Sequence, residues 1–328
     1  MKPKNFKPIL KGLLLTFLLF FLLMVTPQTL GFLFPERPPV GYHFESLAYL
    51  AVGIGLEKLA DLEPEIPETV EEIKDVEYKN MNGKSLQMDF YRPKNTSEPL
   101  PLLVFIHGGS WKSGKRSDYL VYLTRFAQKG YITATISYRL LRDSIYPAAV
   151  EDVTDAVKWL FENGENYGYD PDRIALVGGS AGAHLAMLAG YGWGSSVSQN
   201  SSVTTARRIK AVVDIYGPVD LTTKYSRNQR LVNAFIGYSY NEKPELYQQA
   251  SPITYLSSSC SPTLILHGTS DTLVPVSQSD TLKSRLDALD VPCEYYRVPL
   301  WPHAMDIAKR VNDFSQKKME AFFEEYLI

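Results

Sequence analysis

The chain has 328 residues, of which 45% are apolar, and its formal net charge is −2. A chain of this length and composition can bury a large core, so intrinsic disorder is not expected. No basic stretch occurs beyond the N-terminus, which excludes nucleic acid as an expected partner. Its two cysteines, Cys260 and Cys293, are too few for a disulfide scaffold or a zinc cluster. A single bridge or two free thiols both fit the sequence.

The first 34 residues have the pattern of a membrane signal. Lysines at positions 2, 4, 7 and 11 precede an apolar run from 12 to 25, which only Thr16 interrupts. A positive start followed by an apolar run is typical of an export signal, with the lysines remaining cytoplasmic. We interpret residues 1–34 as an uncleaved signal anchor that places the following domain outside the cytoplasm. A cleaved signal peptide that releases a secreted domain is the alternative.

Residues 35–74 have the composition of a linker. Prolines at positions 35, 38 and 39 are followed by an apolar stretch from 47 to 56 and an acidic stretch from 57 to 72. The apolar stretch is too short to span a bilayer. We interpret it as a linker helix without a chemical role, which lies either on the membrane surface or against the following domain.

From residue 75 onward, short apolar runs alternate with amphipathic stretches. The expected strands are 76–79, 86–91, 102–106, 132–137, 173–177, 211–216, 264–266 and 294–298, and the first two are joined by an Asn82-Gly83 turn. The expected helices are 119–128, 147–163, 183–189, 276–289 and 307–326. This alternation predicts one α/β domain over residues 75–328, in which a mostly parallel eight-stranded sheet has helices on both faces.

The pentapeptide Gly178-Gly179-Ser180-Ala181-Gly182 lies between an expected strand and an expected helix. A strand that turns this sharply into a helix strains the backbone of the serine, and its neighbours cannot carry large side chains. The hydroxyl then projects above the sheet, beside the positive end of the helix dipole. The pattern predicts that Ser180 is a nucleophile, although the pentapeptide alone also fits a glycine-rich turn.

A serine nucleophile needs a general base, and the chain has five histidines. His43 lies in the linker, and His107 precedes two glycines in a loop that it is expected to hold. His184 lies one helical turn from the serine and is expected to point away, whereas His267 is expected to pack beneath the site. His303 follows the last expected strand, on a loop that can reach across the sheet. We therefore expect His303 to be the base.

The base in turn needs an orienting acid, for which Asp271 is the expected residue. It lies in a loop after the strand that precedes the last one, so the chain order of nucleophile, acid and base is Ser180, Asp271, His303. Two other aspartates compete for this role. Asp220 is more simply explained by a turn or a helix cap, and Asp306 by a cap on the terminal helix.

The segment from His107 to Trp111 follows the strand 102–106 and contains two adjacent glycines. Glycine lets a substrate approach the main chain closely, so the N–H groups of Gly108 and Gly109 are expected to bind a developing oxyanion. The N–H of Ala181, at the start of the helix, is the expected third donor. Trp111 is a candidate for the substrate pocket and equally fits a core position.

Taken together, these motifs resemble the α/β-hydrolases of the carboxylesterase and lipase type. Within that superfamily they are similar to the hormone-sensitive-lipase-like group and to the bacterial feruloyl- and acetyl-xylan-esterase-like group. The residues that show the resemblance are 107–111, 137–140, 146–148, 170–174, 178–184 and the loop that holds Asp271. The resemblance implies an α/β-hydrolase fold and hydrolysis of small-molecule carboxylic esters through an acyl-enzyme, without a metal or an organic cofactor.

Other functions fit the same pattern. An amidase or formamidase would use the same residues, and a membrane-anchored binding protein could share the fold without depending on catalysis. Asn95 and Asn200 each begin an N-glycosylation sequon. The sequence does not indicate an oligomeric state.

Overall fold

The computed structural model describes residues 7–81, 83–96, 98–192 and 208–328. Asn82 of the expected hairpin turn and Ser97 of the first sequon lie outside the described residues. So does most of the expected loop 192–205, including the sequon at Asn200.

One mixed sheet forms the centre of the described structure. Its strands are β1 (Val70–Met81), β2 (Lys84–Pro93), β3 (Leu100–Ile106), β4 (Ile132–Ile136), β5 (Tyr169–Gly179), β6 (Ala211–Ile215), β7 (Thr263–Gly268) and β8 (Cys293–Val298). Their spatial order is β1-β2-β4-β3-β5-β6-β7-β8. β2 is antiparallel to both of its neighbours, and the remaining pairs are parallel. The expected mostly parallel eight-stranded sheet is confirmed.

The helices of the described residues cover both faces of this sheet. They are α1 (Lys7–Leu33), α2 (Glu45–Gly53), α3 (Leu120–Gln128), α4 (Ala148–Glu162), α5 (Gly164–Tyr167), α6 (Ala181–Gly190), α7 (Arg230–Ile236), α8 (Pro244–Gln249), α9 (Ser277–Asp287) and α10 (Lys309–Leu327). Successive side chains of a strand point to opposite faces. Accordingly, Val104 of β3 packs in one core with residues of α4, α6 and α9, and Phe105 packs in another with residues of α3 and α10.

The parallel strands determine where a site can form. β3, β5, β6, β7 and β8 run in the same direction, so their carboxyl ends meet at one edge of the sheet, where ligands bind in such folds. We call this edge the rim. Cys260 lies shortly before β7 and Cys293 begins β8, so both are at the edge of the sheet away from the rim. Both are free thiols.

The N-terminal part of the chain consists of α1 and a segment that packs on the domain. Residues 10–33 of α1 are long and apolar enough to cross a membrane. β1 begins at Val70 and therefore includes residues 70–74, which we assigned to the linker. Residues 39–60 pack on the domain, where Leu59 forms an antiparallel bridge with Ala308. We call residues 39–60 the brace.

Candidate active site

Ser180 lies at the turn between β5 and α6. Its backbone has φ 56° and ψ −122°, which non-glycine residues adopt only when the surrounding structure enforces it. The glycines two residues away on either side are required because a Cβ on Gly178 would lie 2.3 Å from the Gly182 carbonyl carbon. A Cβ on Gly182 would lie 1.9 Å from the Ile106 carbonyl oxygen. The close approach of two strands and a helix therefore fixes the position of the serine.

The structure brings the three residues expected for catalysis together at the rim. The hydroxyl of Ser180 lies 2.9 Å from His303 Nε2, and His303 Nδ1 lies 2.6 Å from Asp271 Oδ2. With Nδ1–H donating to the carboxylate, Nε2 is free to accept the serine proton. These contacts join residues from three loops that are far apart in sequence.

Asp271 is held as a carboxylate by several donors. Its Oδ1 accepts the backbone N–H groups of Leu273 and Val274, at 2.9 and 2.8 Å. Burial raises the pKa of Asp271, but hydrogen bonds from His267 and His303 outweigh burial and lower the pKa to about 2. The residue is therefore fully ionised at neutral pH and can stabilise a charged imidazole.

His267 contributes more than the packing expected for it. Its Nε2 lies 3.2 Å from Asp271 Oδ2 and 2.8 Å from the Val274 carbonyl oxygen, and its Nδ1 lies 2.7 Å from the hydroxyl of Ser279. Two acceptors face Nε2, so this nitrogen carries the proton and Nδ1 accepts from the serine hydroxyl. His267 thus donates to the same carboxylate oxygen as His303. The only sequence signal for it is the spacing of four residues from Asp271.

The loop that holds His303 is fastened to the brace. The indole N–H of Trp301 donates to the Pro39 carbonyl at 3.0 Å, and the Gly41 N–H donates to the Pro299 carbonyl at 2.8 Å. A Cβ on Gly41 would lie 2.6 Å from the Leu300 carbonyl oxygen, so the two segments are in direct contact. Sequence reasoning missed these residues, because nothing near either segment indicates the other.

The brace also contacts the chain after His303. The Ala60 N–H donates to the Ile307 carbonyl at 2.8 Å, and the Lys309 N–H donates to the Lys58 carbonyl at 2.8 Å. Arg310 pairs with Glu57, which is only 3% exposed. His303 therefore lies on a loop that the brace holds on both sides.

Asp306 has a different position from the one expected. The N-cap residue of α10 is Ala308, whereas the Asp306 carboxylate is buried and accepts hydrogen bonds from the hydroxyls of Tyr216 and Tyr122. The interpretation of Asp306 as a helix cap is thus wrong, because the terminal helix begins two residues later than expected and is preceded by Ala308. Burial raises the pKa of Asp306. The ring of Tyr216 lies 4.7 Å from that of His303 and packs beside it.

The glycine loop, residues 107–111, lies against Ser180. A Cβ on Gly108 would lie 2.8 Å from the Gly179 carbonyl oxygen and 3.5 Å from the Ser180 Cβ, so any other residue would crowd the serine. Gly109 has φ 98°, which requires glycine. Within the described residues, no protein acceptor pairs with the N–H of Gly108 or Gly109. Ala181 begins α6 directly after the serine.

His107 and Tyr138 hold this loop. His107 is buried and its Nδ1–H donates to the Gly108 carbonyl at 3.0 Å. The Tyr138 hydroxyl donates to the His107 carbonyl at 2.8 Å, and the two rings stack at 4.3 Å. Burial lowers the pKa of His107, so this ring is neutral at pH 7. The loop-holding role expected for His107 agrees with these contacts.

A pocket with about 490 Å³ of empty space, part of it open to solvent, lies beside Ser180. The walls come from the glycine loop, from the excursion after β6 and from the loop after Asp271, and they include Trp111, Tyr225, Val232 and Leu273. Most of these side chains are apolar, so the pocket suits an apolar part of a ligand.

Trp111 both lines this pocket and belongs to the core. It is 4% exposed, its ring stacks on Phe235 at 4.3 Å, and its indole N–H donates to His184 Nδ1 at 3.3 Å. His184 Nε2–H in turn donates to the Ala250 carbonyl at 2.7 Å. Both nitrogens of His184 are engaged away from the serine, which agrees with the expectation for this histidine. Its burial lowers its pKa to about 4.

The described residues contain no group of three or more histidine, cysteine, aspartate or glutamate side chains that could hold a metal ion.

The fold and the arrangement at the rim define the chain as an α/β-hydrolase of the carboxylesterase type. More narrowly, the chain belongs to the BD-FAE family, whose model matches residues 88–286, more than half of the sequence. The family resemblance inferred from the sequence motifs is thus confirmed.

Known proteins support this assignment. The chain is 33% identical to the esterase LipQ of Mycobacterium tuberculosis over 238 residues, 70% of this chain and 56% of LipQ. It is 29% identical to a probable isoprenylcysteine alpha-carbonyl methylesterase of Oryza sativa subsp. japonica, over 60% of this chain and 49% of the relative. The chain spans about half the length of the curated relatives it matches.

A solved structure shows the same fold. A truncated carbohydrate esterase from gut microbiota superposes with a TM-score of 0.69 at 24% sequence identity, over 80% of this chain and 98% of that chain.

Proposed function

We propose that this protein is a serine hydrolase that cleaves carboxylic esters through an acyl-enzyme. The observation that supports the proposal most directly is the continuous relay from the Ser180 hydroxyl through His303 to Asp271, with separations of 2.9 and 2.6 Å. Relatives whose names describe esterases support ester hydrolysis as the reaction.

In the first half of the proposed cycle, Ser180 attacks the ester carbonyl. His303 Nε2 takes the hydroxyl proton as the Oγ–carbon bond forms, and the Asp271 carboxylate stabilises the resulting imidazolium. The carbonyl oxygen becomes negatively charged and is bound by the N–H groups of Gly108, Gly109 and Ala181. The tetrahedral intermediate then collapses, the bond to the alcohol breaks, and the alcohol leaves with the proton from Nε2.

In the second half, water replaces the serine. His303 takes a proton from water as its oxygen attacks the acyl carbon, and the same N–H groups bind the new oxyanion. Collapse of this intermediate returns the proton to Ser180 Oγ and releases the carboxylic acid. Trp111 and residues 225–232 of the excursion after β6 form the wall of the apolar pocket beside the serine, which we assign to substrate binding; Tyr238 lies on the same excursion but does not line this pocket.

The proposal includes attachment to a membrane through α1. The helix is long and apolar enough to cross a bilayer, and the lysines that precede it favour a cytoplasmic N-terminus. The catalytic domain would then lie outside the cytoplasm. Protease treatment of intact cells, compared with lysed cells, tests this orientation, because only an outward-facing domain is cleaved in intact cells.

Covalent labelling tests the nucleophile without knowledge of the natural substrate. We expect a fluorophosphonate probe to add once to the full chain and the adduct to map to Ser180, with no labelling of Ser180→Ala. A second serine labelled in its place would contradict the assignment.

The reaction class is tested with a substrate panel. We expect turnover of p-nitrophenyl esters, and a series of increasing acyl length, with a feruloyl ester and an acetylated sugar added, reports the preferred acyl group. Matched amides of the same acyl groups separate an esterase from an amidase or formamidase. Faster cleavage of the amide than of its matched ester would overturn the ester assignment.

A further inference from the structure

The helix α1 has two parts with different surroundings. In residues 10–22 the large apolar side chains are between 42% and 69% exposed. In residues 24–31 one face packs on the rest of the chain. Met24 is buried in a small apolar cluster with Tyr42, and Gln28 donates to the Tyr42 hydroxyl at 3.1 Å. Only the first part of the helix is thus free to be surrounded by lipid on all sides.

The free part is too short to cross a bilayer by itself. At 1.5 Å per residue, residues 10–22 extend about 20 Å, whereas the hydrocarbon core of a bilayer is about 30 Å thick. Lysines at positions 7 and 11 hold the N-terminal end near the polar boundary. A span of about 20 residues therefore extends into residues 24–31. The surface that packs beside residues 24–31 then lies at the depth of the hydrocarbon.

The helix α2 belongs to that surface. Ala51 of α2 is buried in the same cluster as Met24, whereas Tyr49 is 75% exposed and Ile54, just after the helix, 64% exposed. Among residues 46–53 of α2, whose exposure the structure describes, the outward ones recur at helical spacing and carry no charge; they are Ser46, Tyr49, Leu50 and Gly53. A helix that faces water normally carries charged side chains on its outer face. An uncharged outer face at this depth fits an acyl-chain environment.

Exposed apolar residues continue from α2 to the active site. Leu59, in the bridge to Ala308, is 56% exposed, Leu62 is 38% exposed and Ile307 is 43% exposed. Leu62 and Ile307 line a second pocket, with about 560 Å³ of empty space, whose wall also includes Gly108 and Gly109. Lys58 and Asp61 are also exposed along this stretch, so an amphipathic surface leads from α2 to the glycine loop.

We infer that the outer face of α2, together with Ile54, is immersed in a phospholipid bilayer, and that the site receives esters dissolved in that bilayer. The immersion of this surface is inferred from the packing and length of α1. The route of the ester rests, in addition, on the proposed esterase function. A second copy of the chain would cover the same residues but would not make up the missing length of the span. The bilayer accounts for both observations.

Depth-dependent quenching tests immersion in the full chain. In a variant with Cys260→Ser and Cys293→Ser, a single Leu50→Cys residue is labelled with an environment-sensitive nitrobenzoxadiazole dye and reconstituted into phosphatidylcholine vesicles. Tyr238→Cys is the matched control, because Tyr238 and Leu50 are similarly exposed, 45% and 40%, and Tyr238 lies on the excursion after β6. We expect doxyl-labelled lipid to quench the dye at position 50 several times more strongly than at 238.

Two results would overturn the immersed surface. One is equal quenching at both positions. The other is blue-shifted emission at position 50 without quenching by doxyl lipid, because that shows burial by protein, such as a second copy of the chain.

Two ester substrates test the route to the site. For Leu50→Glu we expect about a tenfold lower rate on a long-chain ester embedded in phosphatidylcholine vesicles, because a charge there weakens insertion, and an unchanged kcat/KM on a short water-soluble ester. Tyr238→Glu should change neither rate. Equal loss on both substrates, or no loss on the embedded ester, overturns the route. Wild-type protein that cleaves neither ester refutes the proposed function and leaves the quenching result in force.

Discussion

The rim of the sheet and the brace both act on the active site, but they hold different residues by different means. Ser180 and the carboxylate of Asp271 are positioned by the ends of β5 and β7 and by backbone groups only a few residues away. His303 is positioned by residues of the brace, more than 200 positions away. Pro39, Gly41 and Ala60 form hydrogen bonds with the residues on either side of it. Ser180 and Asp271 therefore depend on the sheet, whereas His303 depends also on the brace. Substitutions in the two regions should therefore differ in their effects on activity and on stability.

The largest effect is expected at the rim. Ser180→Ala removes the attacking oxygen, so kcat should fall by roughly 10⁴–10⁶-fold. The rate is measured as ester hydrolysis by the purified full chain. The fold should stay intact, because the substitution leaves Gly178 and Gly182 in place, and circular dichroism checks this. A variant that keeps a tenth or more of wild-type activity would show that another group is the nucleophile.

The next effect is expected in the brace. Arg310→Met leaves the buried Glu57 carboxylate without its cation, which should lower the free energy of unfolding by roughly 3 kcal/mol. Chemical denaturation of the detergent-solubilised chain measures the loss. The double variant Glu57→Leu/Arg310→Met is the control, since it removes both charges and should recover most of the stability. A single variant as stable as wild type would show that the pair does not hold the brace.

A buried histidine of the rim gives a comparable effect that depends on pH. Burial lowers the pKa of His184 to about 4 in the folded chain, against 6.5 as its ordinary value. Between these values the unfolded chain binds a proton that the folded chain does not, so stability should fall by roughly 3 kcal/mol as the pH drops from 6.5 to 4. His184→Gln, which keeps one acceptor and one donor, should remove this part of the pH dependence.

Denaturation midpoints of wild type and His184→Gln at several pH values test this prediction. Identical pH dependence in the two proteins would contradict it. The variant should also keep substantial esterase activity, because both ring nitrogens of His184 are engaged with Trp111 and Ala250 rather than with the serine. Loss of activity as severe as in His303→Ala would refute the assignment of His303 as the base.

The smallest effect is expected where brace and base meet. Trp301→Phe removes the indole N–H that donates to Pro39 and loosens the loop of His303, so kcat should fall about five- to tenfold at unchanged KM. Steady-state kinetics on a soluble ester measures both constants. Trp159→Phe, the same substitution on α4 at the far side of the sheet, should change neither. A rise in KM with constant kcat would show that Trp301 serves substrate binding.

The sequence predicts those parts of the site that depend on local geometry. The elbow at Ser180 is readable because Gly178 and Gly182 must be small wherever a strand meets a helix so closely. The glycine loop and the loop of Asp271 are readable because each follows a strand whose end must lie at the rim. The order of the strands along the chain can also be read from the sequence. So can the alternation of their side chains between the two faces of the sheet.

Contacts between distant segments were not predictable in this way. Pro39 and Trp301 are 262 positions apart, and neither has neighbours that indicate the other. An apolar stretch such as 47–56 indicates that these residues pack against another apolar surface, but it does not indicate which one. Asp306 illustrates the same limit, because its carboxylate accepts hydrogen bonds from the hydroxyls of Tyr216 and Tyr122, which lie far from it in the sequence.

The contact between Pro39 and Trp301 also sets an order of events during biosynthesis. Residues 39–60 leave the ribosome well before the loop of His303, which follows them by more than 200 positions. Until that loop has been synthesised and has packed on the brace, the imidazole lacks its contacts with the brace and with Ser180. The arrangement of Ser180, Asp271 and His303 is therefore completed late, only when the chain from residue 39 to residue 303 is available.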